Sequence, residues 1–179
     1  NETVHYNNDG TWEDIDNSML ENGGNELENK SNSFKTKFSK KSNGNKLVTL
    51  KKDSYSISWM LDDANKVDAQ VSQANETETE DISVLKNLSG SVTYPEIQDD
   101  VDLQYVVSGE NIKENIILQS AKAPTEYSFT YKFNKSVITQ DVTLYQNGES
   151  VVFDTTVDWH ESDKVLKAGF DVSVIDTDA

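Results

Sequence analysis

Apolar and polar residues alternate with period two through most of this chain, and no long segment carries a helical period. Near the start, Val4 and Tyr6 precede an Asn-Asn-Asp-Gly run with Trp12 just after it, the pattern of a tight β-hairpin. Phe34, Thr36 and Phe38 then share one strand face, as do Tyr55, Ile57 and Trp59. Further on, Val101, Leu103, Tyr105 and Val107 line one face, Ser-Gly-Glu-Asn turns, and Ile112, Ile116 and Leu118 return, which predicts a second hairpin. Tyr127, Phe129, Tyr131 and Phe133 alternate with Ser128, Thr130 and Lys132, so four aromatic rings form one wall of a core.

The stretch 153–170 continues the rhythm. Phe153, Thr155, Val157 and Trp159 fall on an apolar face, while Asp154, Thr156, Asp158 and His160 fall on a polar one. After Glu-Ser-Asp-Lys, Leu166, Ala168, Phe170, Val172 and Val174 alternate again, so a hairpin with a charged turn is expected, with Trp159 in the core. Residues 62–82 lack aromatics and are acidic, and they read as a long polar loop rather than core. About ten short strands joined by turns rich in Gly, Asn and Asp predict an all-β fold, an antiparallel β-sandwich forming a single domain over residues 1–179.

Composition narrows the function. Of 179 residues 32 are acidic and 16 basic, the net charge is −16, and every basic residue is Lys. Such a chain repels phosphate backbones and lacks the guanidinium fork that reads bases, so no nucleic-acid partner is expected. The absence of Cys removes disulfides and thiol chemistry and suits an exported bacterial protein. There is no run of 18 apolar residues, so no membrane insertion is expected, and the acidic surface favours a monomer. The chain opens on Asn1 without a leader pattern and reads as a piece of something longer.

Candidate chemistry is sparse. Asp158 and His160 sit two residues apart on one strand face and could hold a divalent metal with a carboxylate from the following turn, although zinc asks for three or four ligands. A salt-bridged hairpin rim explains the same residues. No resident cofactor is expected; weak calcium binding at Gln-Asp-Asp-Val-Asp or Asp-Ile-Asp-Asn, or weak zinc binding, is the limit of the metal chemistry. No nucleophile elbow, phosphate loop or dinucleotide fingerprint occurs. Trp12 and Trp59, if exposed, could stack on sugar rings, which makes a glycan a candidate ligand. Seven of the 16 Lys lie between Lys35 and Lys52, a basic band that reads as a solvated strand face or a dock for an acidic polymer.

Two family resemblances add to this reading. The runs VHYNNDGTWEDIDNSM, NSFKTKF, LVTLKKDSYSISWML and above all DLQYVVSGENIKENIIL, within about residues 4–134, resemble the N-terminal β-rich module of large bacterial Rhs and wall-associated cell-surface proteins. Residues of about 136–174, with VDWHE followed by KVLK, resemble the C-terminal β-sandwich of zinc-dependent retaining α-mannosidases. In that family the catalytic Asp and the zinc ligands belong to a separate α/β domain, so Asp158, Trp159, His160 and Glu161 inherit no catalytic role. The meeting of the two patterns near 134–136 fits a natural, a recombined or an artificial sequence alike. The resemblances imply a non-catalytic structural or interaction module of an exported bacterial cell-surface protein, with neighbouring domains or cell-wall polymer as partner. They leave open an accessory β-sandwich of a mannosidase-like glycosidase, or a carbohydrate-binding module.

Overall fold

The computed structural model describes residues 3–44, 46–73, 87–145 and 150–167, and among them every regular element is a β-strand. A small hairpin pairs β1 (His5–Asn8) with β2 (Thr11–Asp14). Its two-residue loop, Asp9-Gly10, has φ of 49° and 94°, the doubly positive turn whose twist matches that of the flanking strands. The remaining strands are β3 (Asp16–Glu21), β4 (Glu26–Ser31), β5 (Lys35–Ser39), β6 (Val48–Lys52), β7 (Tyr55–Leu61) and β8 (Gln70–Gln73). They continue as β9 (Ser89–Gln98), β10 (Val101–Ser108), β11 (Asn111–Leu118), β12 (Glu126–Phe133), β13 (Ser136–Leu144) and β14 (Val151–Asp158). An eight-stranded antiparallel sheet runs β14-β13-β12-β7-β6-β5-β4-β3, and a four-stranded one runs β11-β10-β9-β8.

The two sheets close on one core, as the alternation predicts. Phe38, Val48, Leu61, Tyr127 and Phe129 of the large sheet meet Val92, Tyr94, Leu103, Tyr105 and Val107 of the small one. Rings interlock at the centre: Tyr105 lies 5.6 Å from Phe38 and 6.1 Å from Trp59. Tyr94 reaches across to donate to the Ser39 carbonyl at 2.7 Å, which satisfies its buried hydroxyl. Edge-on and tilted ring pairs of this kind add to the apolar burial that holds the layers together.

At the β3 end the layers are joined by buried amides. Asn17 donates to the carbonyls of Leu88 (2.8 Å) and Gly109 (3.3 Å), and its own oxygen accepts from Asn29 (3.2 Å) and Asn32 (3.0 Å). Asn32 also donates to Gly109, and Asn29 accepts from the Thr36 amide. Such a network is stabilising only because its members are paired. The backbones approach so closely here that a Cβ on Gly90 would overlap the Asn17 carbonyl oxygen.

The Lys-rich band lies on the strands β5 and β6 and their connection, where carboxylates from elsewhere meet it. Lys37 faces Glu26 and Glu28, Lys40 reaches Glu21, Lys46 reaches Glu26, and Lys41 reaches Asp68. Four of the band's seven lysines are thus paired within the fold, in keeping with a solvated face.

Two sequence expectations need correction. The polar stretch 62–82 contains strand β8, which pairs with β9, and Ala64, Val67 and Ala69 pack against the core, because the small sheet needs a fourth strand. Residues 74–82 lie outside the described residues. The expected apolar face of β14 is not buried: Phe153 and Val157 are exposed, and residues 164–167 form no strand. β14 stands at the end of the strand order, whereas the ring contacts and hydrogen bonds that join the layers fall on β3, β5 and β7. Ala168, Phe170, Val172 and Val174 lie outside the described residues.

Candidate functional site

Strand β7 shows how a continuous apolar face becomes a site. Leu61 and Trp59 are buried, Ile57 is half-buried, and Tyr55, on the same face, is 52% exposed. Strand β12 runs antiparallel beside it and loses cover in step: Phe129 is buried, while Tyr131 and Phe133 are half-buried. The apolar face thus passes from a covered centre into a groove of about 470 Å³, inside the range of ~300–1,000 Å³ common for small-molecule sites. Tyr55, Phe133 and Trp159 supply its rings, and Ile57, Ile138 and Leu166 its aliphatic surface.

The rings are ordered. Tyr55 and Phe133 stack with centroids 6.3 Å apart and planes 18° apart, and Phe133 and Trp159 stack at 6.0 Å and 4°. Trp159 is held by its neighbours in the chain. The His160 amide donates to the Ser136 hydroxyl at 2.8 Å, and Glu161 accepts from Asn134 (3.0 Å), the Ser136 hydroxyl (3.3 Å) and the Lys135 amide (3.4 Å). Lys164 closes on the same carboxylate at 3.4 Å. The Asn134 hydrogen bond, with help from Lys164 and the Lys135 amide, keeps the Glu161 carboxyl below its ordinary value. The β12–β13 turn, with Asn134 at φ 52°, and the Trp-His-Glu segment therefore form one clamp that fixes the Trp159 ring.

At the covered end of the same face, Trp59 donates its indole N–H towards the Tyr105 hydroxyl (3.2 Å) and Glu114 (3.3 Å). Burial raises the Glu114 carboxyl above its ordinary value, and burial together with Glu114 raises the Tyr105 and Tyr131 hydroxyls. This trio ties β11 to β7.

The expected site residues are scattered. Trp59 is only 8% exposed and its N–H is engaged, so the sugar-stacking role requiring its exposure is withdrawn; alternation placed it on a core face and the small sheet covers it. Trp12 is 70% exposed on β2, opposite Asn7, with no ring stacked on it among the described residues. Asp158 and His160 do meet, Oδ1 to Nε2 at 2.8 Å, both exposed at the end of β14. The turn carboxylate that would join them, Glu161, is committed to the β12–β13 turn, and no cluster of three metal-binding side chains occurs among the described residues. Two ligands do not meet the need of a zinc site. Within the two calcium candidates, Asp102 accepts from the Glu96 amide and Gln119, Asp16 from Lys30, and Asn17 is in the buried amide network.

Sequence reasoning missed the ring stack. Tyr55 and Phe133 fit a core face, and the signal against that was their place at strand ends, beside Lys-Lys-Asp-Ser and Asn-Lys-Ser turns.

The segment that clamps Trp159 is the VDWHE run, and the wider chain matches the Glycosyl hydrolases family 38 C-terminal domain over residues 20–179. The chain belongs to this family. A family 38 C-terminal domain is an accessory, non-catalytic β-sandwich of mannosidase-like proteins, in agreement with the all-β architecture. The family match takes in both the 136–174 stretch that suggested mannosidases and most of the upstream stretch that suggested cell-surface proteins. The chain is also similar to the tRNA(Glu)-specific nuclease WapA of Bacillus subtilis subsp. natto, 24% identical over 125 residues. That similarity covers 69% of this family 38 C-terminal domain but only 5% of the length of the nuclease. No solved structure matches the chain.

Proposed function

We propose that this family 38 C-terminal domain is a non-catalytic accessory module that packs against and steadies a neighbouring glycoside-processing module of a mannosidase-like protein. The family match over residues 20–179 carries this reading. Two carboxylates that flank Trp159 in the chain are used structurally, Glu161 by the β12–β13 turn and Asp158 by His160. Borne on an exported bacterial protein, the domain would find its partner in the adjoining domain or in cell-wall polymer.

The test is to produce the full-length protein and the same protein with this domain excised, and to measure hydrolysis of a chromogenic α-mannoside together with the melting temperature of what remains. A buttress predicts that the isolated domain is inert and that excision lowers both activity and melting temperature. Turnover by the isolated domain, or an excised protein that melts and works as before, would sink the proposal. Surface proteolysis of intact cells tests the exported placement: protection until lysis contradicts it.

A further inference from the structure

The ring groove at the open end of the large sheet has features that a buttressing role does not use. Tyr55, Phe133 and Trp159 form a stacked apolar wall, yet three polar groups carried by lining residues have no partner among the described residues. These are the Tyr55 hydroxyl, the Trp159 indole N–H and the Asp163 carboxylate, two donors and a pure acceptor. Asp163 stands at φ 55°, a left-handed position that directs the chain at the groove's edge. Lys164, also a lining residue, is held by Glu161.

We propose that this groove binds a neutral pyranose residue of a glycan. A pyranose presents an apolar C–H face and a ring of hydroxyls, each able to donate and accept. The C–H face matches the apolar ring surface of the lining, and the hydroxyls match the polar groups that Tyr55, Trp159 and Asp163 carry. An apolar peptide would leave those three groups unpaired on burial, which costs affinity. An anionic polymer would meet the Asp163 carboxylate, unpaired among the described residues, on a chain of net charge −16, with Lys164 already engaged. The Trp159 clamp through Ser136 and Glu161 means that little ordering of that ring is left for the ligand to impose. The inference stands apart from the buttressing role, since a domain can steady its neighbour without binding sugar.

The experiment is ligand-observed NMR and calorimetry on the complete chain with a panel of neutral mannose, glucose and N-acetylglucosamine oligosaccharides, polygalacturonate serving as the anionic probe. Saturable binding of at least one neutral glycan is expected. Tyr55→Ala should weaken it about tenfold or more, the scale of losing one packed and hydrogen-bonded group. Asp163→Gly should do the same without unfolding, because glycine tolerates the positive φ at that position. Trp12→Ala should leave affinity unchanged. Absence of neutral-glycan binding at millimolar concentration overturns the proposal. So does binding confined to polygalacturonate, or binding that Tyr55→Ala and Asp163→Gly leave intact while their melting temperatures match the parent. Excision of the domain tests the buttress, so the two ideas fail separately.

Discussion

The covered centre of the large sheet and its open end are built from the same alternation, yet they have become different things. Trp59 and Tyr55 lie on one face of one strand, two positions from Ile57 on either side, but one is buried beneath Tyr105 and the other stands half in solvent. Period two decides which residues share a face, whereas cover from the second layer decides whether that face is core or surface. The small sheet ends before the large one does, and the rings left beyond it form the groove.

The sharpest way to break this contrast is to truncate a ring on each side. Phe129, 1% exposed, should cost roughly 3–5 kcal/mol as Phe129→Ala, read from urea denaturation. Equal loss from Trp159→Ala would mean that the open end is as much core as the centre. Gly90→Ala tests the join between layers: the added methyl meets the Asn17 carbonyl, and a loss of about 1–3 kcal/mol or more is expected. A neutral result would show that β3 and β9 are free to part. Trp159→Ala itself should cost about 1–3 kcal/mol, because the ring is half-buried and stacked on Phe133 rather than enclosed.

A pH series separates the two regions in another way. The Glu114 carboxyl at the covered end is raised by burial, so the folded protein binds its proton more tightly than the unfolded chain does. Its contribution is full below the ordinary value of 4.5 and fades as pH rises through the raised folded value. Glu114→Gln should therefore flatten that part of the decline in stability as pH rises above the ordinary carboxylate value, followed by denaturant midpoint. A variant whose pH profile parallels the parent would place Glu114 in contact with water. The smallest effects belong to the surface: Trp12→Ala and His160→Ala should each move stability by no more than about 0.5 kcal/mol. A larger loss for His160→Ala would give its contact with Asp158 a structural weight that its exposure argues against.

Much of the fold was legible because local chemistry and global packing agree. Asp9-Gly10 announces its turn, and Tyr127 and Phe129 announce their face. What could not be read was the lateral placement of one sheet over the other. β14 has an alternating pattern as good as that of β10, but strand order puts it at the sheet's end, and its residues are exposed throughout. β8 was hidden for the opposite reason: Gln-Val-Ser-Gln has almost no apolar face, and it is a strand because β9 offers it a partner. The groove combines both effects. Its three rings come from Tyr55, Phe133 and Trp159, distant in sequence, and only the antiparallel register of β7 with β12 and the docking of Glu161 on the Asn134 turn bring them side by side.

The buried asparagines also give this molecule an ageing chemistry. Asn17 and Asn32 each precede a serine, a small neighbour that leaves room for hydrolysis of the side-chain amide to a carboxylate, and asparagine is among the thermolabile residues. At position 17 the amide nitrogen faces the carbonyls of Leu88 and Gly109, so a carboxylate formed there would set oxygen against oxygen at a fully buried position. While the layers stay closed, packing restrains the amide; each chain that opens at high temperature risks a change of one atom that its own architecture then refuses. Storage history, as much as sequence, would govern how many copies can close again.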